Sequence, residues 1–293
     1  GYHGWHDWYL SANLGENKKL DGHLLPGLDP LGVPRALKET IYSFNYNDFD
    51  KLSEIVKQHN IGTIKMEVYR NQLPKNNFLE KIRDLASKKN ITLIFDECTT
   101  GFRETFGGLH KKFNVEPDIC ILGKALGNGH PIGAVIGRDE IMDAAQASFI
   151  SSSYWTERVG FVASLKTLEI FQRDNVAETL LATGKDIKTK LENAIGQTGV
   201  NVNVTGIDSV PILIFGGKKG QESKTLFTQE MLKRGFLAGN VIYVSIAHTV
   251  DDVTKYIEAA TEVFEMITSA IKGNINDHLD GPVSHKGFQR LTK

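Results

Sequence analysis

Cysteine is scarce here: Cys98 and Cys120 are the two in 293 residues. They form no Cys-x-x-Cys pair and no metal-ligand spacing, and beside predicted core strands they read as reduced thiols of a cytoplasmic protein. Long apolar runs are lacking too. None approaches the ~20 residues that a bilayer span requires, and no signal-peptide pattern opens the chain. Charge of one sign is also missing: 34 Lys and Arg face 35 Asp and Glu, for a net charge of −1. The charges are scattered, so neither nucleic acid nor a membrane surface is an expected partner. Internal repeats and low-complexity tracts are absent. Small-molecule chemistry is the remaining broad class.

The length suffices for one large core or two linked ones. Predicted strands at 61–67, 91–96, 118–122 and 133–137 alternate with helical patterns at 48–59, 77–89 and 139–147. This alternation predicts an α/β layer with a mostly parallel sheet, its strands apolar because helices cover both faces. A helix at 157–172 connects to a second unit. There, apolar stripes predict helices at 176–195 and 251–271, Val176, Leu180, Ile187 and Leu191 marking the first. With strands near 210–215 and 241–246 they make an α+β C-terminal domain, and residues 216–220 read as a polar loop. The expected domains are 1–172 and 173–293.

The chemistry lies at strand ends. Asp96 closes the apolar run ITLIFDE, and Lys124 follows the strand DICIL within ILGKALGNGHPIGA. Pyridoxal phosphate (PLP) needs an amine able to form a Schiff base and a carboxylate that keeps its ring nitrogen protonated, and this pair supplies both. A lysine between an apolar strand and a glycine-rich turn is expected to be partly desolvated, which favours its free amine. The plainer alternative is a surface lysine after a core strand. A nucleotide-binding reading of Gly123-Lys124 fails, because the phosphate loop needs Gly where Asp118 stands and Ser or Thr where Ala125 stands. His3, His6 and Asp7 lack a third strong ligand at zinc spacing, so no metal site is expected.

Four motifs in order resemble those of class III PLP-dependent aminotransferases, in the branch of glutamate-1-semialdehyde aminomutase. They are Tyr2-His3-Gly4, Asp96-Glu97-Cys98-Thr99-Thr100-Gly101-Phe102-Arg103, Pro117-Asp118 with Gly123-Lys124 and the turn Gly127 to Ala134, and the segment around Ser153. The likeness covers most of the chain. It implies the large, mostly parallel domain of PLP-dependent transferases of fold type I with a small α+β domain, and a homodimer with shared active sites. By the same resemblance, Lys124 holds the cofactor and Asp96 pairs with the pyridine nitrogen. Tyr2 and His3 belong to the ring-stacking motif, Cys98 packs behind the ring, and Ser153 stands where a partner-subunit Thr usually binds the phosphate. Substrates would be an amino donor and a keto or aldehyde acceptor.

Departures bear on substrate. Glu67-Val68 replaces the frequent Glu-Pro, leaving Glu67 either near the cofactor or bonded to backbone. Asn240 stands where the aminomutase carries a glutamate before Ala247-His248-Thr249, which weakens an intramolecular mutase as the alternative. Asn128 and His130 replace the usual Gly and Leu. Arg70 and Arg158 are candidate clamps for a carboxylate or phosphate, or else solvent-facing. The tail from Gly281 to Arg290 resembles branch members of surface-sugar pathways and points to a sugar-like acceptor. The family's phosphate-binding turn is not in the chain, and Gly1 is not an initiator Met, so upstream sequence is expected. The alternative of another class is a non-catalytic fold relative, or a nucleotide-binding protein whose phosphate loop lies upstream; the joint presence of Lys124 and Asp96 argues against the first.

Overall fold

A computed structural model describes residues 6–15, 20, 27–69, 72–151, 154 and 157–286. They form two compact units, the first ending at Arg173 and the second spanning Asp174–Lys286.

In the first unit, β1 (Thr63–Met66), β2 (Thr92–Asp96), β3 (Ile119–Leu122) and β4 (Ala134–Gly137) form one sheet in that order. β1, β2 and β3 run parallel, with Met66 beside Phe95 and Asp96 beside Ile121, and β4 returns antiparallel to β3. Helix α1 (Phe49–Gln58) starts at Asp48, whose carboxylate accepts the Lys51 N–H at 3.0 Å. This satisfies one of the donors a helix start leaves unpaired. Helix α2 (Phe78–Lys89) links β1 to β2, as parallel strands require. It buries Phe78, Leu79, Ile82 and Ala86, while Leu93 and Phe95 of β2 are wholly buried.

Asp118 fixes the entry to β3. Its carboxylate accepts the Leu93 N–H at 2.7 Å and faces Arg83 at 3.0 Å and Arg138 at 3.1 Å. Burial works to raise its pKa, but the Leu93 N–H and the two guanidiniums outweigh that and hold it below the usual range. β4 departs from the expectation of strands covered on both faces. Val135 and Ile136 are exposed, because β4 is an edge of the described sheet.

The second unit packs α3 (Val176–Thr198), α4 (Gly220–Lys233) and α5 (Val250–Lys272) with the antiparallel pair β5 (Val202–Thr205) and β6 (Ile212–Phe215). Thr249 and Asp252 form a reciprocal cap at the start of α5. The strand expected at 241–246 reduces to a single bridge between Val241 and Ile212. Pro211 explains why: its carbonyl accepts the Ile242 N–H at 2.9 Å, but it has no N–H to return and the ladder breaks.

Phe227 and Phe264, both fully buried, stack with centroids 5.6 Å apart at the centre of this unit. Phe264→Ala is expected to cost about 3–5 kcal/mol of the unit's stability, measured by urea unfolding. A loss below about 1 kcal/mol would mean that this stack is not the centre of the core.

Candidate functional site

The C-terminal ends of β1, β2 and β3 carry the polar residues, at the edge where open α/β sheets place ligands. Asp96 is the last residue of β2 and Lys124 follows β3 by two residues. Beyond Asp96 the chain turns, and the Cys98 N–H donates to Asp96 Oδ1 at 3.1 Å. Lys124 Nζ donates to Thr99 Oγ1 at 2.6 Å, tying the turn after β3 to the turn after β2. The backbone of Lys124 is left-handed, with φ of 44°, uncommon for a residue with a side chain. Its carbonyl accepts the N–H groups of Gly127 and Asn128, closing a tight turn that lifts the side chain outward.

Lys124 is exposed, against the expectation of partial desolvation. That expectation took its neighbours in sequence for its neighbours in space; Lys124 stands two residues beyond the end of β3.

Cys98 is half-buried between the two. Burial pushes its thiol pKa up, Lys124 and Lys65 oppose this, and Asp96 and Glu67 add to it. The thiol therefore lies in the fields of two lysines and two carboxylates. A Cβ on Gly123 would come within 2.8 Å of Cys98 Sγ, so glycine is what lets the two turns approach so closely.

Two contacts were not expected from sequence. Lys65, in the middle of β1, places Nζ 2.7 Å from Asp96 Oδ2. The signal was a lone charge between Ile64 and Met66, both buried. Thr99 left no signal beyond its place in the motif. Glu97 is wholly buried. One carboxylate oxygen accepts the His110 N–H at 2.8 Å and lies 2.9 Å from its ring Nδ1, and the other accepts the Thr100 hydroxyl.

Glu67 is half-buried beyond the end of β1. Arg158 is exposed. Tyr2, His3, Arg70 and Ser153 lie outside the described residues, as do the side chains of His6 and Asp7. Among the described residues no group of His, Cys, Asp and Glu is arranged to hold a metal. No helix among them is long and apolar enough to cross a membrane.

The family model for class-III aminotransferases matches residues 71–271, a span that includes Asp96, Lys124 and both turns. The chain belongs to the class-III aminotransferases. Among curated members of the family, it is 34% identical to 3-aminobutyryl-CoA aminotransferase of Cloacimonas acidaminovorans, over 89% of this chain and 63% of that protein. It is 30% identical to glutamate-1-semialdehyde 2,1-aminomutase of Thermodesulfovibrio yellowstonii, over 82% of this chain and 61% of that protein. The chain thus spans just over three fifths of the length of these two class-III relatives. Among solved structures, the PLP internal aldimine form of the Sphingopyxis sp. MTA144 FumI protein aligns over 93% of this chain and 71% of that one, with a TM-score of 0.80 and 24% identity. A transaminase with PLP bound aligns with a TM-score of 0.81 and 20% identity, over 93% of this chain and 67% of that one. The α/β fold with its mixed, mostly parallel sheet is therefore that of PLP-dependent transaminases.

Proposed function

We propose that the protein is a PLP-dependent aminotransferase, moving an amino group from a small-molecule amino donor to a keto or aldehyde acceptor. The observation that carries this reading is the meeting of Lys124 and Asp96 on adjacent strand ends, joined through the Cys98-Thr99 turn. Their chemistry fits the cofactor: a solvent-facing primary amine for its aldehyde, a half-buried carboxylate for its ring nitrogen, and a close approach of two turns that only Gly123 permits. When bound, PLP supplies an electron sink next to the substrate α-carbon.

The protein's own groups do the rest. Lys124 would hold the cofactor through its aldehyde carbon, and its Nζ would move the proton at the substrate α-carbon as general base and acid. Asp96 would hold the proton on the ring nitrogen, and Cys98 would pack behind the ring. By the family resemblance Tyr2, His3 and Ser153 would add cofactor contacts, with Glu67, Arg70 and Arg158 as candidate substrate contacts. The unit carrying Lys124 and Asp96 is then the cofactor domain and Asp174–Lys286 the small domain.

A homodimer with shared sites is supported by exposed apolar residues that follow β4 in the chain: Phe149 is 96% exposed, and Ile150 and Tyr154 are exposed too. The free thiols of Cys98 and Cys120 support a cytoplasmic setting. A sugar-like acceptor rests on the tail alone. The aminomutase alternative draws on the relative of that name, and Asn240 in place of its glutamate weighs against it.

The test is to incubate the full-length protein with PLP, reduce with borohydride and map the modified peptide by mass spectrometry. A phosphopyridoxyl group on Lys124 is expected; no label on any lysine would overturn the reading. A panel of amino donors then separates the two chemistries. A transaminase delivers the amino group to a separate acceptor, releasing 2-oxoglutarate where glutamate is the donor, and a mutase keeps it on one carbon skeleton.

A further inference from the structure

Lys65 occupies the carboxylate on which the proposed cofactor depends. It sits on β1 beside Ile94 of β2, two residues before Asp96, and strand alternation turns it to the face that Asp96 shares. Its Nζ lies 2.7 Å from Asp96 Oδ2, with side-chain exposures of 23% for the lysine and 13% for the aspartate. Asp96 Oδ1 already accepts the Cys98 N–H, so each carboxylate oxygen has a donor. Lysine is a poor choice for a half-buried strand position between buried Ile64 and Met66 unless something holds its charge. Asp96 does so.

We infer that Lys65 is a positioning residue that stands in for the cation of the cofactor ring. It pairs with Asp96, and it competes with the protonated ring nitrogen for that carboxylate when PLP enters. The proposal rests on the PLP reading above. Its physical basis is the repulsion between two cations that share one carboxylate in a partly desolvated site. Removing the Lys65 charge leaves Asp96 Oδ2 without that cation, and the protonated ring nitrogen can take its place. Lys65 therefore holds the Asp96 charge in the folded protein and loosens the cofactor's hold.

The test compares full-length wild type, Lys65→Met and Lys65→Arg. The PLP dissociation constant is measured by equilibrium dialysis, and thermal unfolding is followed with and without PLP. Lys65→Met is expected to lower the PLP Kd roughly fivefold, the scale of a single partly exposed ion pair. It is also expected to lower the Tm of the PLP-free protein, so that PLP raises the Tm of the variant by more than that of wild type. Lys65→Arg, which keeps the cation, is expected to keep the wild-type Kd. If Lys65→Met fails to fold, Lys65→Gln carries the same expectation. An unchanged or higher Kd in the neutral variant, with wild type binding PLP at Lys124, overturns this inference and leaves the cofactor reading intact. Failure of wild type to bind PLP at all overturns both.

Discussion

Lys124→Ala is expected to abolish transamination while leaving the fold intact. The side chain is exposed, and its hydrogen bond goes to a neighbouring hydroxyl, so truncation opens no cavity in the core. Surface changes of this kind usually fall within about 0.5 kcal/mol. The loss of function should be far larger. General acid and base catalysis by a positioned side chain contributes ~10²–10⁴ in rate, and the same amine also anchors the cofactor. Thermal unfolding and single-turnover kinetics on the full-length protein, measured together, separate the two effects. Near-normal transamination by Lys124→Ala would remove the proposed mechanism, and a collapse of Tm would recast Lys124 as structural.

Asp96→Asn should bind PLP weakly and turn over slowly. The substitution keeps the shape of the side chain and removes its charge, leaving Lys65 beside a neutral amide and the ring nitrogen without a counter-ion. Breaking a buried charge pair costs about 3–5 kcal/mol. Partial exposure reduces that, yet each ~1.4 kcal/mol expressed in the transition state is tenfold in rate. A fall in kcat of roughly 10²-fold, with a raised PLP Kd, is the expected outcome. Wild-type affinity and rate in Asp96→Asn would refute its assignment to the ring nitrogen.

Why these two residues were legible and others were not follows from what a linear pattern can carry. Buried strands are apolar runs, so a charged residue closing one, as Asp96 closes β2, marks both a strand end and a place where ligands collect. Lys124 was found by the same logic, but its exposure was not, since the left-handed turn that lifts it leaves little trace in residue hydrophobicity. Lys65 carries little signal because Thr63 and Lys65 alternate with Ile64 and Met66 as in any half-buried strand; only the pairing of β1 with β2 brings it to Asp96. In the second unit, Val200, Val202 and Val204 alternate with Asn201 and Asn203, and this period-two signal for β5 was present but unread. The expected strand at 241–246 failed for the opposite reason. Its own residues suit a strand, and the fault lies in Pro211 on the segment it had to pair with.

The buried Glu97 has a longer reach than its own hydrogen bonds. It is joined by one peptide bond to Asp96, and it is clamped to His110 and Thr100. The direction in which Asp96 points is therefore set from behind, much as a hinge pin sets the swing of a door.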